Sequence, residues 1–164
     1  MFKTKLLILL LINFLFISCT KESDVQNNLK FKVGYIGGEY DGLLLKNTLN
    51  SYLNAQNIYD ESSQYEIKAN ISHDSNLYIT NTDNTSDRER ITSTLSVLIN
   101  DNRSSCQIYN FNQTISQFYI FAASDLFLSN KKAVKEIKKS NTDELVKEFF
   151  KSLNRATLIC NDQN

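Results

Sequence analysis

The stretch "LKFKVGYIGGEYDGLLLKNTLNSYL", Leu29 to Leu53, decides the fold because two hydrophobic periods follow one another in it. Its first ten residues alternate apolar and polar side chains and close on a glycine pair, which predicts a strand and a turn. The rest carries apolar residues at helical spacing, with Asp41 as a candidate N-cap. The alternating residues are Leu29, Phe31, Val33 and Tyr35, and the helical stripe is Leu45, Leu49, Tyr52 and Leu53.

Three more segments downstream alternate with a period of two, which predicts strands. "YEIKANIS" begins at Tyr65 and continues into "NLYIT" past a predicted bulge or kink at His73-Asp74. "NTDNTSD", residues 81–87, is typical of a hairpin loop. "RERITSTLSVLIND" then leads through the turn "DNRSS" to "CQIYNFNQTIS", which starts at Cys106. The inward residues of the middle segment are Ile91, Leu95, Val97 and Ile99.

From Asp125 onward the apolar period lengthens to that of a helix. An interruption at Ser140-Asn141, with Glu144 three residues after Asn141, predicts either one broken helix or two consecutive helices. The resulting order, β-α-β-β-β-α, predicts an α+β fold. Its architecture is a small two-layer sandwich with two helices on one face of a four-stranded, mostly antiparallel sheet.

The N-terminus has the features of a lipoprotein signal. Lys3 and Lys5 precede an apolar run that is shorter than the roughly 20 residues of a membrane span. "FISC" then resembles a bacterial lipobox, in which Cys19 carries the acyl chains. The alternative is an ordinary signal peptide or an uncleaved signal anchor with a chance cysteine.

These features divide the chain into four predicted parts. Residues 1–18 are a lipoprotein signal peptide, 19–28 a lipidated tether, 29–155 the α+β domain, and 156–164 a polar C-terminal tail. Thr20 is not the aspartate that retains many enteric lipoproteins in the inner membrane. We therefore expect a protein anchored to the outer membrane, on the periplasmic side, through its N-terminal acyl chains.

Charge and chemistry exclude several classes of function. The chain has 18 basic and 18 acidic residues, which gives no footprint for nucleic acid. His73 is the only histidine, no G-x-S-x-G motif frames a nucleophile, and no glycine-rich phosphate loop occurs. We expect no catalysis, metal or cofactor. Cys106 and Cys160 form either a disulfide or two unpaired thiols in a compartment that permits disulfides.

The order of elements and the lipobox together resemble the LPS-assembly lipoprotein (LptE) family. The resemblance is carried by Cys19, by the strand and helix of Leu29 to Leu53, and by three later segments. These are "YEIKANI", "DRERITSTLSVLIND" and "SDLFLSNKKAVKEIKKSNTDELVKEFFKSL". The chain departs from the family pattern just after Cys19 and at Ser140-Asn141.

The resemblance implies a structural role rather than catalysis. A family member would plug and help assemble the LPS-translocating β-barrel (LptD-like), and would bind LPS. Arg88, Arg90 and Arg103 are the candidate contacts to LPS phosphates, with simple hairpin solubility as the alternative. A second hypothesis is a periplasmic lipoprotein that regulates another envelope complex, such as a peptidoglycan synthase. A third, a secreted enzyme, would need a cleft of convergent titratable groups.

Overall fold

Four strands and two helices make up the part of the chain that a computed structural model describes, residues 29–79, 86–120 and 127–160. The elements are β1 (Phe31–Gly37), α1 (Glu39–Ala55), β2 (Tyr65–Ile79), β3 (Ser86–Asp101), β4 (Cys106–Ile120) and α2 (Phe127–Leu153). The predicted α+β class and the order β-α-β-β-β-α are confirmed. Cys19 and the predicted signal and tether lie outside the described residues.

The sheet has the order β1-β2-β3-β4, with β1 parallel to β2 and the other pairs antiparallel. β1 pairs with β2 only as far as Asn70, whereas β2, β3 and β4 continue together for about nine residues more. We call the end of the sheet at Tyr65, Asp101 and Cys106 the proximal end, and the opposite end the distal end. Residues 80–85, most of the predicted hairpin loop, lie outside the described part.

Both helices pack on one face of the sheet. The apolar stripe predicted for α1 is confirmed, since Leu45, Leu49 and Leu53 are fully buried. Each such side chain contributes about 1.5–3 kcal/mol by burial. The remaining core comes from α2 and from the inward residues of the strands. These are Leu145, Val146, Phe149, Phe150, Leu153, Phe31, Ile67, Ala69, Ile71, Ile91, Leu95, Val97, Ile99, Ile108 and Phe111.

Tyr35 does not join this core as the alternation predicted. The register between β1 and β2 shifts between Val33 and Ile36, so that Ile36 stands opposite Ala69. A bulge of this kind inserts residues into one strand and reverses the faces that follow. Tyr35 is consequently 73% exposed.

The first helix begins at a glycine rather than at the predicted cap. Gly38 has φ +108° and occupies the N-cap position, and Asp41 lies within the first turn. A Cβ atom at Gly38 would come within 2.6 Å of the Ile71 carbonyl oxygen. The left-handed backbone and this close approach both require glycine. Asp41 is therefore released from capping and bonds elsewhere.

Two predicted breaks are absent. β2 passes through His73 and Asp74 without a kink, opposite Ser93 and Thr92 in regular antiparallel register. Likewise α2 is one continuous helix through Ser140-Asn141, not two. In both places a polar residue bonds to Ser93 of β3, from the neighbouring strand for His73 and from the helix layer for Asn141, so it does not need the local hydrogen bonds of a turn or cap.

The structure joins Cys106, at the start of β4, to Cys160, seven residues beyond the end of α2, in a disulfide. The Cα atoms are 5.7 Å apart, within the usual range. Leu158 packs against the core on the way to this bond. The segment after α2 is thereby held at the proximal end of the sheet.

Removal of this disulfide should destabilise the domain. The bond closes a segment of 54 residues, and loop-closure entropy for such a length amounts to about 4 kcal/mol. In urea unfolding of the full-length protein in detergent, we expect Cys160→Ser to lower the free energy of unfolding by about 2–4 kcal/mol. Dithiothreitol should weaken the unsubstituted protein equally and leave the variant unchanged. A protein that is indifferent to reductant would contradict the pairing.

Candidate functional site

The distal end of the sheet carries aromatic, aliphatic and arginine side chains on one surface. Even-numbered residues of β2, β3 and β4 face away from the helices there, because strand side chains alternate. We call this group the tip cluster. Its members are Tyr78, Arg88, Arg90, Phe118 and Ile120.

Ring contacts organise the tip cluster. The guanidinium carbon of Arg90 lies 5.0 Å from the centroid of the Tyr78 ring, a cation–π distance. The rings of Tyr78 and Phe118 meet edge to face, with centroids 5.9 Å apart. Nε of Arg90 is buried and has no hydrogen-bond partner among the described residues. The cation is held in place by stacking, and its polar atoms are incompletely satisfied.

Arg88 is exposed beside an open cavity of about 290 Å³ that Phe118, Tyr119 and Ile120 also line. Among the described residues no carboxylate oxygen lies within 4 Å of Arg88 or Arg90. Ile120 is 79% exposed and Phe118 57%. The tip cluster thus combines two cations that no described carboxylate neutralises with uncovered apolar surface.

Glu89 does not neutralise these arginines because it faces the opposite side of the sheet. There the hydroxyls of Ser75 and Tyr119 both donate to its carboxylate. Burial and the adjacent carboxylate raise the pKa of Tyr119 above its usual value, so its phenol stays protonated as the donor.

The structure brings Arg88 and Arg90 together and places Arg103 elsewhere. Arg103 lies in the turn between β3 and β4, where its backbone N–H donates to Asp101. That hydrogen bond and one from Ser104 hold the pKa of Asp101 below its usual value. At about 3.4 Å per strand residue, Arg103 is about 45 Å from Arg88. The three arginines therefore cannot contact the same phosphate group.

A second polar group connects the sheet to the helices. Ser93 Oγ accepts from Asn141 Nδ2 at 2.8 Å and lies 2.7 Å from His73 Nδ1. Asp41 Oδ2 lies 4.0 Å from His73 Nε2 and accepts from Lys138 Nζ at 3.0 Å. We call these five residues the polar cluster. It links β2, β3, α1 and α2.

One hydrogen arrangement fits the two short contacts of Ser93, and it leaves Nε2 of His73 without a hydrogen-bond partner among the described residues. Asn141 donates to Ser93, the Ser93 hydroxyl donates to His73 Nδ1, and Nε2–H of His73 points toward Asp41. This arrangement requires neutral His73, whose side chain is only 1% exposed. The net effect is that the pKa of His73 lies below its usual value, and burial is the main cause. The carboxylates of Asp41 and Asp74 raise the pKa, and the ammonium group of Lys138 lowers it.

The polar cluster contains a serine, a histidine and an aspartate, but it lacks the access that a nucleophile needs. Ser93 is fully buried, as is Asn141, which lies against its hydroxyl. Substrate could not reach Oγ without separation of α2 from the sheet. The described residues also contain no group of three side chains that could hold a metal ion. The geometry of this cluster suits structural support.

Solved structures share this fold. Lipoprotein B from Nitrosomonas europaea, an uncharacterized lipoprotein, aligns with a TM-score of 0.60 and 11% identity over 77% of this chain and 82% of its own. A minor lipoprotein from Acinetobacter baumannii aligns at 0.58 and 13%, over 82% and 96%. Rare lipoprotein B from Shewanella oneidensis aligns at 0.54 and 11%, over 76% and 97%.

The fold is that of small bacterial lipoproteins. No protein-family model and no curated protein sequence matches the chain. Within the described residues, neither helix combines the length and apolarity that a membrane span requires.

Sequence reasoning identified Arg88 and Arg90 but missed their aromatic neighbours and the polar cluster. Tyr78 and Phe118 meet only through pairing across three strands. The position of Ser93 could have indicated a buried polar site, because Ser93 interrupts the inward apolar residues Ile91 and Leu95. Asn141 could have indicated it as well, because it lies four residues before Leu145 on the buried stripe. Both polar residues occupy positions where the pattern calls for apolar ones.

We expect the stability of the protein to fall as the pH decreases below about 6.5, the usual pKa of histidine. The folded state keeps His73 neutral, so the unfolded state binds the proton more readily and is favoured by acid. The measurement is the free energy of urea unfolding at a series of pH values from 8 to 5.

His73→Gln is the matched variant because it keeps a polar side chain beside Ser93 and does not titrate. Its unfolding free energy should depend less on pH than that of the unsubstituted protein across the same interval. Equal slopes in the two proteins would show that His73 is not the responsible group.

Proposed function

We propose that this protein is an outer-membrane lipoprotein that assembles with and plugs the LPS-translocating β-barrel, and that it binds LPS at the tip cluster. The shared fold with bacterial lipoproteins supports the lipoprotein part of this proposal. The role is one of assembly and binding, without catalysis. Full burial of Ser93 supports this last point.

The observation that carries the plug function is the sheet face opposite the helices. It presents uncharged hydroxyls and amides along β3 and β4, in rows across the strands. Thr92 bonds Ser116 at 2.9 Å and Thr94 bonds Thr114 at 2.8 Å, with Ser96 opposite Asn112 in the next row. A barrel lumen is a polar surface, and these middle rows of β3 and β4 can hydrogen-bond to it without the burial of unpaired charge.

The tip cluster suits an amphiphilic anion. Phosphate is bound most strongly by charge-assisted hydrogen bonds, which Arg88 and Arg90 can provide. The acyl chains of the lipid A part of LPS would find apolar surface on Phe118 and Ile120. The two requirements are met on one surface about 10 Å long.

The direction of the chain supports access to the tip cluster. β1 begins at the proximal end, where Phe31 pairs with Tyr65. The predicted tether of ten residues therefore leads from the membrane to that end. The tip cluster lies at the other end of strands about 50 Å long, which is the end that projects away from the anchor.

The proposal is tested by crosslinking and affinity purification of tagged, full-length protein from outer membranes, with mass spectrometry of the products. We expect a large β-barrel in near-equal amount and palmitate on Cys19. A peptidoglycan synthase in its place, or no partner from a sample shown to be acylated, would overturn the plug function.

LPS binding should depend on the two distal arginines. In detergent, binding of LPS to the full-length chain should fall at least about tenfold in Arg88→Gln and Arg90→Gln, the loss of one charged hydrogen bond of about 1.5–3 kcal/mol. Arg103→Gln is the matched control because it removes the same charge at the opposite end of β3. Equal losses in all three variants would indicate unspecific attraction instead of a site.

A further inference from the structure

β4 forms one edge of the sheet, and its outer edge has no strand beside it in the described residues. No described backbone group outside β3 bonds to Gln107–Phe118. The strand is 15 residues long and contains no acidic or basic residue, no histidine and no proline. Long uncharged edges of this kind pair readily with another extended backbone.

The other edge of the sheet is protected along β1; beyond Asn70 that edge is formed by β2, which carries the charged residue Asp74. Phe31 N–H donates to the Ile58 carbonyl at 2.8 Å, and Asp60 N–H donates to the Phe31 carbonyl at 3.0 Å. β1 is also short, carries Lys32 and contains a bulge. These are the usual means by which proteins prevent edge pairing. Their absence from β4 is therefore specific to that edge.

We propose that β4 binds an extended segment of a partner protein as a fifth strand of the sheet. Pairing would satisfy the outward N–H and C=O groups of β4, as in β-strand addition. The inference rests on the proposed assembly role, and it adds the surface through which a protein partner attaches.

The side chains of β4 define the chemistry of that segment. On the open face it would lie next to Asn112, Thr114 and Ser116, which favour hydroxyl and amide side chains. On the helix face it would lie next to Phe111 and Ile115, which favour apolar side chains, and next to Gln113 and Gln117, which favour uncharged polar ones. No charge on β4 offers an ion pair. The matching segment is thus uncharged, polar on the open face, and apolar on the helix face where it meets Phe111 and Ile115.

A second copy of this chain fits less well. Parallel pairing of two β4 strands would turn one copy over and place Phe111 and Ile115 beside the polar face of the other. Antiparallel pairing would place the two chain starts at opposite ends of the joined sheet, about 50 Å apart. A tether of ten residues reaches at most about 35 Å, so both ends of the joined sheet would have to lie close to the membrane. Each tip cluster would then lie close to the membrane as well.

The test is photo-crosslinking in cells, with p-benzoylphenylalanine placed in turn at Asn112, Thr114 and Ser116 of the full-length protein. Mass spectrometry then maps the crosslinked residue of the partner. We expect all three positions to reach one segment of one protein, in steps of two residues, because paired strands keep register. Scattered sites, adducts to another copy of this chain, or no adduct would each overturn the proposal.

Thr114→Lys places a lysine on the edge strand, where natural proteins often use lysine to prevent edge pairing. It should abolish the adducts from positions 112 and 116. Ser72→Lys is the matched control, since Ser72 lies in the same row of the same face, on β2. It should leave the adducts unchanged, and equal losses in both variants would refute edge pairing. A regular series of adducts to a protein that is not a β-barrel would support the edge proposal and contradict the plug function.

Discussion

Two helices cover only one face of the sheet, and most of the molecule follows from this constraint. Strand side chains alternate, so one-sided cover requires every second residue to be apolar and leaves the others in contact with solvent or a partner. Ile67, Ile71, Leu95 and Val97 are buried beneath the helices, while the open face carries mainly polar residues: hydroxyls and amides in the middle of β3 and β4, and charged residues such as Glu66, Lys68 and Asp74 on β2. The core and the proposed contact surface are two consequences of one pattern.

The polar cluster is the exception to that pattern, and it lies where sheet and helices must be aligned. A buried serine or asparagine is costly unless its hydrogen bonds are formed. The bond from Asn141 Nδ2 to Ser93 Oγ forms only if α2 packs on β3 in one position. Asn141 Oδ1 and His73 Nε2 have no hydrogen-bond partner among the described residues. The apolar contacts of Leu145 and Phe149 are not directional and do not by themselves distinguish among positions of α2 on the sheet. The cluster therefore selects one of them, with Asp41 and Lys138 attaching α1 to the same place.

Much of the fold could be predicted from the sequence because one-sided burial leaves a strong periodic signal. The stripe of α1 and the inward residues of β2 and β3 are examples. The errors have a common cause in long-range partners. From their neighbours in the chain alone, Asn141 is typical of a helix cap and His73 of a strand break. Both instead bond to Ser93, which is 48 residues from Asn141 and 20 residues from His73 in the chain. The prediction that Tyr35 faces the core was wrong because β1 contains a bulge, and no residue in β1 predicts that bulge from the sequence. The arginine pair could be predicted from the spacing of β3, but its aromatic support depends on pairing with two other strands.

The two ends of the sheet have opposite properties. At the proximal end the loop of residues 58–60 bonds to β1, and a disulfide fixes the segment after α2 beside β4. At the distal end apolar side chains and arginines are uncovered, and β2 and β4 extend well past β1. Loops and covalent bonds thus restrict the end nearest the predicted anchor, while the far end keeps its hydrogen-bonding groups and apolar surface available. A protein that served only as a spacer would gain nothing from such surface, since it raises the risk of aggregation. The proposed LPS contact lies at this end, and a ligand bound there would remove that apolar surface from water.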